Sequence, residues 1–345
     1  MLKSFCSLFI LIFFVSLVSA QTSETLIPLE GLDPVMLSQG KEVQGDMKYK
    51  VTRGRFQYLF ASEENKAAFE KDPSKYEIQL DGHCARMGAP TGGDPDLYAV
   101  HKGRIYVFGS AECQTLFKAT PEKYLEVPTA PKSPSAEMIK RGQDLIAKAA
   151  EALAPGAKLD QLRSLQRTDV RENKVTNKLL LSFPDTLRQE TVRPTFTLTS
   201  VITRSDSFVI VNNAARPMSE ASRSAIYKEL NHDPLVLLRA RTRPDFKASL
   251  SSDGAVDVEL PGFTTTLGID PGTGRIVSQT YTGRGPGGVV GQIVINYSDY
   301  RTVEGLSLPF KQTATFDGQP FPALSATAEA ITVNGQIDPS QFKKP

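Results

Sequence analysis

The sequence predicts an α+β protein in which a small, duplicated strand–helix module precedes an antiparallel β domain that carries helices. Three observations predict it. A block of residues near the N-terminus recurs 48 positions further along without a gap. From about Leu159 onwards, apolar residues mostly alternate with polar ones, which is the pattern of strands with one buried face. A segment with three prolines lies between the two regions, and such spacing favours an extended, semi-rigid connection.

Residues 1–20 have the pattern of a cleavable signal peptide. Lys3 precedes an apolar run from Phe5 to Val18, which is too short to cross a bilayer comfortably. The run ends in Val18-Ser19-Ala20, with small residues at the positions that signal peptidase requires. We therefore expect export to the periplasm or the extracellular space. The alternative is an uncleaved anchor, and no later stretch is apolar enough to span a membrane.

The composition indicates a globular protein of about two domains. Of 345 residues, 40% are hydrophobic and 23% are charged, and the net charge is +2. This balance gives no reason to expect a nucleic-acid partner. The expected parts are the signal peptide, a first domain at 21–127, a proline-rich linker at 128–135 and a second domain at 136–345.

The duplicated block has the same order of elements in each copy. An aromatic strand leads into a serine that is placed to cap a helix, and acidic residues follow in the first turn, where the helix dipole favours them. A phenylalanine then faces the core and a proline ends the helix. The paired positions are Tyr58 and Tyr106, Ser62 and Ser110, Phe69 and Phe117, and Pro73 and Pro121.

Residues 29–126 resemble the YHS domain. The resemblance is carried by Gly31-Leu32-Asp33-Pro34-Val35, Tyr58-x-Phe60-Ala61-Ser62, Phe69 with Asp72-Pro73-x-x-Tyr76, and Gly82-His83-Cys84-Ala85. It implies a small zinc-ribbon-like or treble-clef-like α+β unit, often associated with metal handling. Metal-binding relatives carry four thiols, but here three of those four positions are Ala61, Asn65 and Gly109, and only Cys113 remains. The usual four-thiolate site therefore cannot form.

Four residues of this module are candidates for chemistry: His83, Cys84, His101 and Cys113. Cys113 is expected at the third position of a helix capped by Ser110, where the helix dipole favours the thiolate. Three interpretations stay open. An even pair of cysteines in an oxidising compartment is most simply a disulfide, Cys84–Cys113. The two could instead be separate buried thiols, or some of the four residues could bind zinc, copper or haem.

The second region is predicted to begin with an amphipathic helix from Ala136 to Leu153. Turn dipeptides such as Asp253-Gly254, Glu304-Gly305, Asp317-Gly318 and Asn334-Gly335 separate several of the strand-like runs that follow. One helix, about Ser219 to Leu230, interrupts them. The predicted strands are 178–183, 195–203, 208–211, 246–250, 256–260, 276–282, 292–297, 310–316 and 323–333.

This second region resembles the outer-membrane lipoprotein carrier fold and its exported relatives. The motifs are Phe183-Pro184-Asp185-x-x-Arg188-Gln189-Glu190 and the segment from Tyr297 to Phe310. The resemblance implies a curved antiparallel β half-barrel around helices, with an apolar hollow that holds acyl chains. Sheet physics agrees, because a strongly twisted sheet of this many strands tends to curl.

The remaining motifs give no enzyme signature. Gly283-Arg284-Gly285-Pro286-Gly287-Gly288 matches a nucleotide-binding pattern, but no helix follows it, so we interpret it as a mobile hairpin loop. His232 is expected to act as a cation at the end of the 219–230 helix.

The leading hypothesis is a non-enzymatic exported protein that binds a lipophilic molecule or an exported protein partner. It predicts an apolar cavity between the sheet and the 219–230 helix. The alternatives are a metal-handling or redox protein built on the thiols, and an enzyme whose site the sequence does not reveal.

Overall fold

The computed structural model describes residues 25–89, 91–126, 133–156 and 158–345. The predicted signal peptide lies outside the described residues, as do residues 127–132 of the proline-rich segment. The chain forms two compact units, one ending at Glu77 and the other spanning Ile78–Pro345. This division differs from the one expected at 128–135, because the second copy of the duplicated module belongs to the same unit as the β-sheet.

The first unit contains one copy of the module. Its strands pair antiparallel, and Ser62 caps the helix that follows, since its side chain accepts a hydrogen bond from the backbone N–H of Asn65. Phe60 and Phe69 are fully buried, with ring centroids 5.1 Å apart. The elements are α1 (Pro34–Ser38), β1 (Asp46–Arg53), β2 (Phe56–Phe60), α2 (Glu63–Lys71) and α3 (Pro73–Tyr76).

The second copy repeats this arrangement. Its elements are β3 (Asp94–His101), β4 (Arg104–Phe108) and α4 (Ala111–Ala119), and each end lies 48 residues after its counterpart in β1, β2 and α2. Ser110 caps α4, as predicted. Phe108 and Phe117 repeat the buried aromatic pair, with centroids 5.0 Å apart. The duplication seen in the sequence is therefore a duplication of structure.

One large antiparallel sheet forms most of the second unit. Its order is β10-β9-β8-β7-β6-β5-β18-β16-β15-β14-β13-β12-β11, and β17 pairs with β16. The strands are β5 (Ser164–Arg171), β6 (Thr176–Ser182), β7 (Thr186–Val192), β8 (Thr197–Ile202), β9 (Ser207–Val211), β10 (Ala214–Pro217), β11 (Lys247–Leu250), β12 (Val256–Leu260), β13 (Phe263–Ile269), β14 (Ile276–Arg284), β15 (Val290–Val303), β16 (Leu306–Phe316), β17 (Gln319–Pro320) and β18 (Ala326–Val333).

Three helices pack on one face of this sheet: α5 (Ala136–Leu153), α6 (Glu220–Leu230) and α7 (Pro234–Arg239). The bounds of α5 agree with the predicted helix. Gly142 lets α5 approach β11 closely, because a Cβ at this position would lie 2.5 Å from the Cα of Ser249. The helix-facing side chains of the sheet and the buried faces of α5 and α7 form one core cluster.

The sheet is curved around these helices. In a flat sheet β5 and β13 would lie roughly 24 Å apart, since five strand spacings of about 4.8 Å separate them. Nevertheless Arg167 of β5 contacts Asp233, while Phe263 of β13 contacts the adjacent residue His232. The structure therefore shows a large antiparallel sheet that curls over helices, in agreement with the predicted half-barrel.

Candidate functional site

The helix-facing side of the sheet is covered unevenly. Four of the six residues of α7 are buried, but α6 has no buried residue. Ile226, Tyr227 and Leu230 of α6 pack against the core while keeping part of their surface exposed. The sequence of α6 explains this, because polar and charged residues interrupt its apolar face. Helix α6 is thus the least buried of the three covering helices.

Polar contacts attach both ends of α6 to neighbouring segments. The Tyr227 hydroxyl donates a hydrogen bond to the backbone carbonyl of Asp185 at 2.6 Å. At the other end of the helix, the Ser222 hydroxyl lies 3.3 Å from Nε2 of His83. Ser219 caps the helix through the backbone N–H of Ser222. Each of these hydrogen bonds contributes about 1 kcal/mol.

Beneath the helices, β6 presents its alternate side chains to opposite faces of the sheet. Leu179 and Leu181 pack against the core under the helices. Leu180 lines a groove of about 380 Å³ on the opposite face, together with Lys178 and Arg188. Leu179 and Leu180 are both half-buried. These two neighbouring leucines therefore have similar exposure, although Leu179 lies on the inner face of the sheet and Leu180 on the outer face.

A buried ionic group joins the sheet to the start of α7. Arg167 is only 12% exposed and lies 2.7 Å from Oδ1 of Asp169 and 3.1 Å from Oδ2 of Asp233. Asp233 also caps α7, because its Oδ1 accepts from the backbone N–H groups of Leu235 and Val236. Burial alone would lower the pKa of Arg167, but the two carboxylates outweigh it and raise that pKa. The charged guanidinium therefore anchors the α6–α7 junction.

His232 is also part of this junction, and the structure corrects the role predicted for it. Its ring stacks on Tyr281 with centroids 3.7 Å apart, and its backbone carbonyl lies 3.1 Å from the Tyr297 hydroxyl. Burial lowers the pKa of His232 to about 4. The ring is therefore neutral at pH 7 and does not act as a cation at the end of α6. Its Nδ1 is buried without a hydrogen-bond partner.

The cavities beside α5 and α7, where these helices meet the sheet, are small. A cavity beside α7, lined by Leu235 and Leu308 among others, has a volume of about 10 Å³. A second cavity between α5 and α7, lined by Ala149 and Leu238, has about the same volume. Each has room for roughly one water molecule. Larger grooves of about 380 and 430 Å³ lie on the outer face and have polar linings.

Of the four predicted site residues, only Cys84 and Cys113 lie together. Both are buried free thiols, so the predicted disulfide is not formed in this structure. Cys113 is the third residue of α4, and its backbone N–H donates to the Ser110 hydroxyl. Burial opposes ionisation of Cys113, but hydrogen bonds from Ser110, Arg86 and Cys84 outweigh it and lower the pKa of the thiol.

The two histidines point elsewhere. His83 Nδ1 lies 2.9 Å from the carbonyl of Leu80, and its Nε2 faces Ser222. His101 lies at the end of β3, with Nε2 3.3 Å from a Glu122 oxygen. In the described part of the chain, no three His, Cys, Asp or Glu side chains are grouped so that they could hold a metal ion. The predicted four-residue metal site is therefore not assembled here.

Two arginines near the thiols were not identified from the sequence. Arg86 Nη1 lies 3.7 Å from Sγ of Cys113. Arg284 Nη1 donates to the carbonyls of Arg86 and Gly288, each at 3.0 Å. The glycine-rich hairpin loop between β14 and β15, predicted to be mobile, is thus packed against the segment that carries Cys84. Gly288 has φ +83°, and a Cβ there would lie 2.1 Å from the Arg86 carbonyl oxygen.

Comparison with known proteins finds no matching family model, and no curated protein matches the chain. Among solved structures, a DUF1329 family protein from Desulfovibrio piger is similar with a TM-score of 0.38 and 12% identity, over 60% of this chain and 97% of that chain. A LolA superfamily protein from Nitrosomonas europaea gives a TM-score of 0.36 and 12% identity, over 59% and 97%. With scores this low, neither similarity supports an inference about ligand or activity.

Proposed function

We propose that this protein is a non-enzymatic binding protein whose sheet takes up a lipophilic molecule beneath α6. The observation that carries the proposal is the contrast between α6, which has no buried residue, and α5 and α7, which are packed into the core. A curved sheet with an apolar inner face and one weakly held covering helix is suited to admit an elongated apolar guest.

The small size of the cavities beside α5 and α7 sets the order of events. Because the cavities next to the helices hold about 10 Å³ each, space for a ligand has to come from movement of a covering helix. Helix α6 is the element that costs least to move, since its displacement exposes only half-buried side chains such as Ile226 and Leu230. The ligand then replaces these contacts with the inner face of the sheet, including Leu179.

Binding of cis-parinaric acid, a fatty acid that fluoresces in apolar surroundings, tests this proposal. Leu179→Asp places a charge on the inner face and should weaken binding about tenfold or more, a cost of at least about 1.4 kcal/mol. Leu180→Asp is the matched control, because it makes the same change at the neighbouring residue on the outer face. It should leave the affinity within about twofold of the parent value. Equal effects of the two substitutions, or no binding by the parent protein, would contradict the proposal.

A second variant examines the role of α6. Tyr227→Phe removes the hydrogen bond to the Asp185 carbonyl, which is worth about 1 kcal/mol. If α6 must move, this change should speed ligand entry about fivefold. Stopped-flow fluorescence measures the rate, and an unchanged rate would show that α6 is not the element that opens.

The same proposal includes export, which the pattern of residues 1–20 supports. In the part of the chain that the structure describes, no helix is both long and apolar enough to cross a membrane. The resemblance of residues 29–126 to the YHS domain stays a prediction. For Cys84 and Cys113 we propose a role that does not require a resident metal.

A further inference from the structure

Two thiols and two guanidinium groups meet where α4 faces the hairpin between β14 and β15. Cys84 and Cys113 belong to one buried cluster, and the guanidinium of Arg86 donates to the Cys113 sulfur. Arg284 of the hairpin is half-buried, and its guanidinium donates to the backbone carbonyl of Arg86. Positive charge and a helix N-terminus around a thiol are the conditions under which a cysteine becomes reactive.

The first copy of the module shows what the same position does without cysteines. There Asn65 is the third residue of α2, as Cys113 is of α4, and Ser62 is the cap. The Asn65 side-chain amide donates to Oδ2 of Asp33 at 2.7 Å. Asp33 follows Leu29-Glu30-Gly31 and Leu32 just as Cys84 follows Leu80-Asp81-Gly82 and His83. The duplication thus has a polar link between helix and preceding segment in one copy and a dithiol in the other.

The backbone supports this equivalence. The N–H of Asp33 donates to the carbonyl of Val43, and the N–H of Cys84 donates to that of Thr91. Leu29 and Glu30 have positive φ angles, as do Leu80 and Asp81. Both copies therefore use the same strained turn to bring the residue after it against the N-terminus of the helix. In the second copy the two residues at these positions are Cys84 and Cys113, which share one buried cluster.

We infer that Cys84 and Cys113 form a redox-active dithiol that exchanges with low-molecular-weight disulfides, and that its oxidation state controls how firmly the β14–β15 hairpin is seated. The sequence of attack follows from exposure. Cys113 keeps 7% of its surface exposed and Cys84 keeps none, so the incoming disulfide meets Cys113 first.

The reaction is a two-step thiol–disulfide exchange. The Cys113 thiolate attacks one sulfur of the disulfide RSSR, a mixed disulfide forms, and one RS⁻ leaves. The Cys84 thiol loses its proton and attacks the Cys113 sulfur, which closes the Cys84–Cys113 bond and releases the second RS⁻. The proton that Cys113 lost on ionising and the proton of Cys84 end, by way of solvent, on the two released RS⁻ groups, which become two RSH. The protein loses two electrons and RSSR gains them.

Oxidation changes the charge beneath the hairpin. Arg86 donates to Cys113 with its side chain, and its backbone carbonyl accepts from Arg284 of the hairpin. A disulfide carries no charge, so its formation removes the Cys113 thiol or thiolate that accepts from Arg86, whose backbone carbonyl accepts from Arg284. The glycine-rich turn next to it, with Gly288 against the Arg86 carbonyl, is therefore expected to loosen when the dithiol is oxidised.

The test uses the full chain equilibrated with mixtures of glutathione and glutathione disulfide, acid-quenched and analysed by intact mass. The expected product is a protein that has lost two hydrogens, with both thiols disappearing together. Hydrogen exchange of residues 283–289 should be faster in that product. Thiols that stay free at every ratio, or a stable glutathione adduct in place of the internal disulfide, would overturn the inference.

Variants keep the test decisive. In Cys84→Ser, Cys113 should accumulate a glutathione adduct, whereas in Cys113→Ser the buried Cys84 should stay unmodified. Arg86→Met should shift the pH profile of Cys113 alkylation to higher pH, and Arg86→Lys should restore part of the shift. The double variant Cys84→Asp/Cys113→Asn transplants the polar pair of the first copy. It should keep the melting temperature and lose the redox response, and a redox response that survives it would refute the assignment.

Discussion

Protonation of His232 should weaken the attachment of the α6–α7 junction to the sheet. The folded protein holds the pKa of this ring at about 4, compared with 6.5 for an ordinary histidine, because burial disfavours the charged form. Below pH 6.5 the unfolded chain therefore binds a proton more readily than the folded one. The contribution of the neutral His232 ring to stability is complete above pH 6.5 and is lost as the pH falls towards 4.

Linkage sets the size of the effect. Lowering the pH from 7.5 to 5 should reduce the free energy of unfolding by about 2 kcal/mol, because the unfolded chain takes up a proton at His232 that the folded protein does not. The reduction rises to about 3 kcal/mol at pH 4. Protonation of other groups also destabilises the protein in acid. Asp160 is one of them, because its hydrogen bond to Arg241 lowers its pKa in the folded state. The contribution of His232 is therefore read as a difference between the parent protein and a variant that cannot titrate at this position.

His232→Phe is the informative substitution, because it can keep the ring stack on Tyr281 and removes the unpartnered Nδ1. Urea unfolding at pH 7.5 and pH 5 measures the effect, followed by circular dichroism and tyrosine fluorescence, since the chain has no tryptophan. The parent protein should lose about 2 kcal/mol more than the variant between these pH values. His232→Gln serves as a second non-titrating variant in case phenylalanine packs poorly. Equal losses in the parent protein and both variants would refute the reasoning.

Two further predictions concern the anchor of α7 and the N-terminus. Arg167→Met should lower the free energy of unfolding by about 3–5 kcal/mol, because it leaves Asp169 and Asp233 buried without their partner. Urea unfolding at pH 7.5 measures this change. A loss below about 1 kcal/mol would contradict the prediction. The exported protein should begin at Gln21, and N-terminal sequencing of material from the extracytoplasmic compartment would contradict the signal-peptide assignment if it found Met1.

Local signals predicted the local structure well. The serine caps at Ser62 and Ser110 and the amphipathic stretch from Ala136 to Leu153 depend on neighbours a few residues away, so their elements could be placed from sequence. The duplication was also visible, because both copies keep the same buried aromatic residues. Strands with clean alternation, such as Val256–Leu260, were found with the correct bounds.

What the sequence concealed depends on contacts between distant residues. Strand β5 was not predicted because its inward-facing positions include Arg167, a charge that becomes acceptable only when Asp233 of the helix junction pairs with it. His232 was assigned to a helix end since nothing local indicates the Tyr281 ring that covers it. Arg86 and Arg284 are 198 residues apart, so their meeting near the thiols could not be inferred from spacing.

Hydrogen exchange of the covering helices, with and without saturating cis-parinaric acid, tests the central claim most directly. In the free protein, backbone amides of α6 should exchange faster than those of α5 and α7, because α6 alone among the three has no buried residue. Ligand should change exchange in α6 and in the inner strand β6, and leave the outer grooves unaffected. Equal protection of the three helices, or a ligand effect confined to the outer face, would contradict the account.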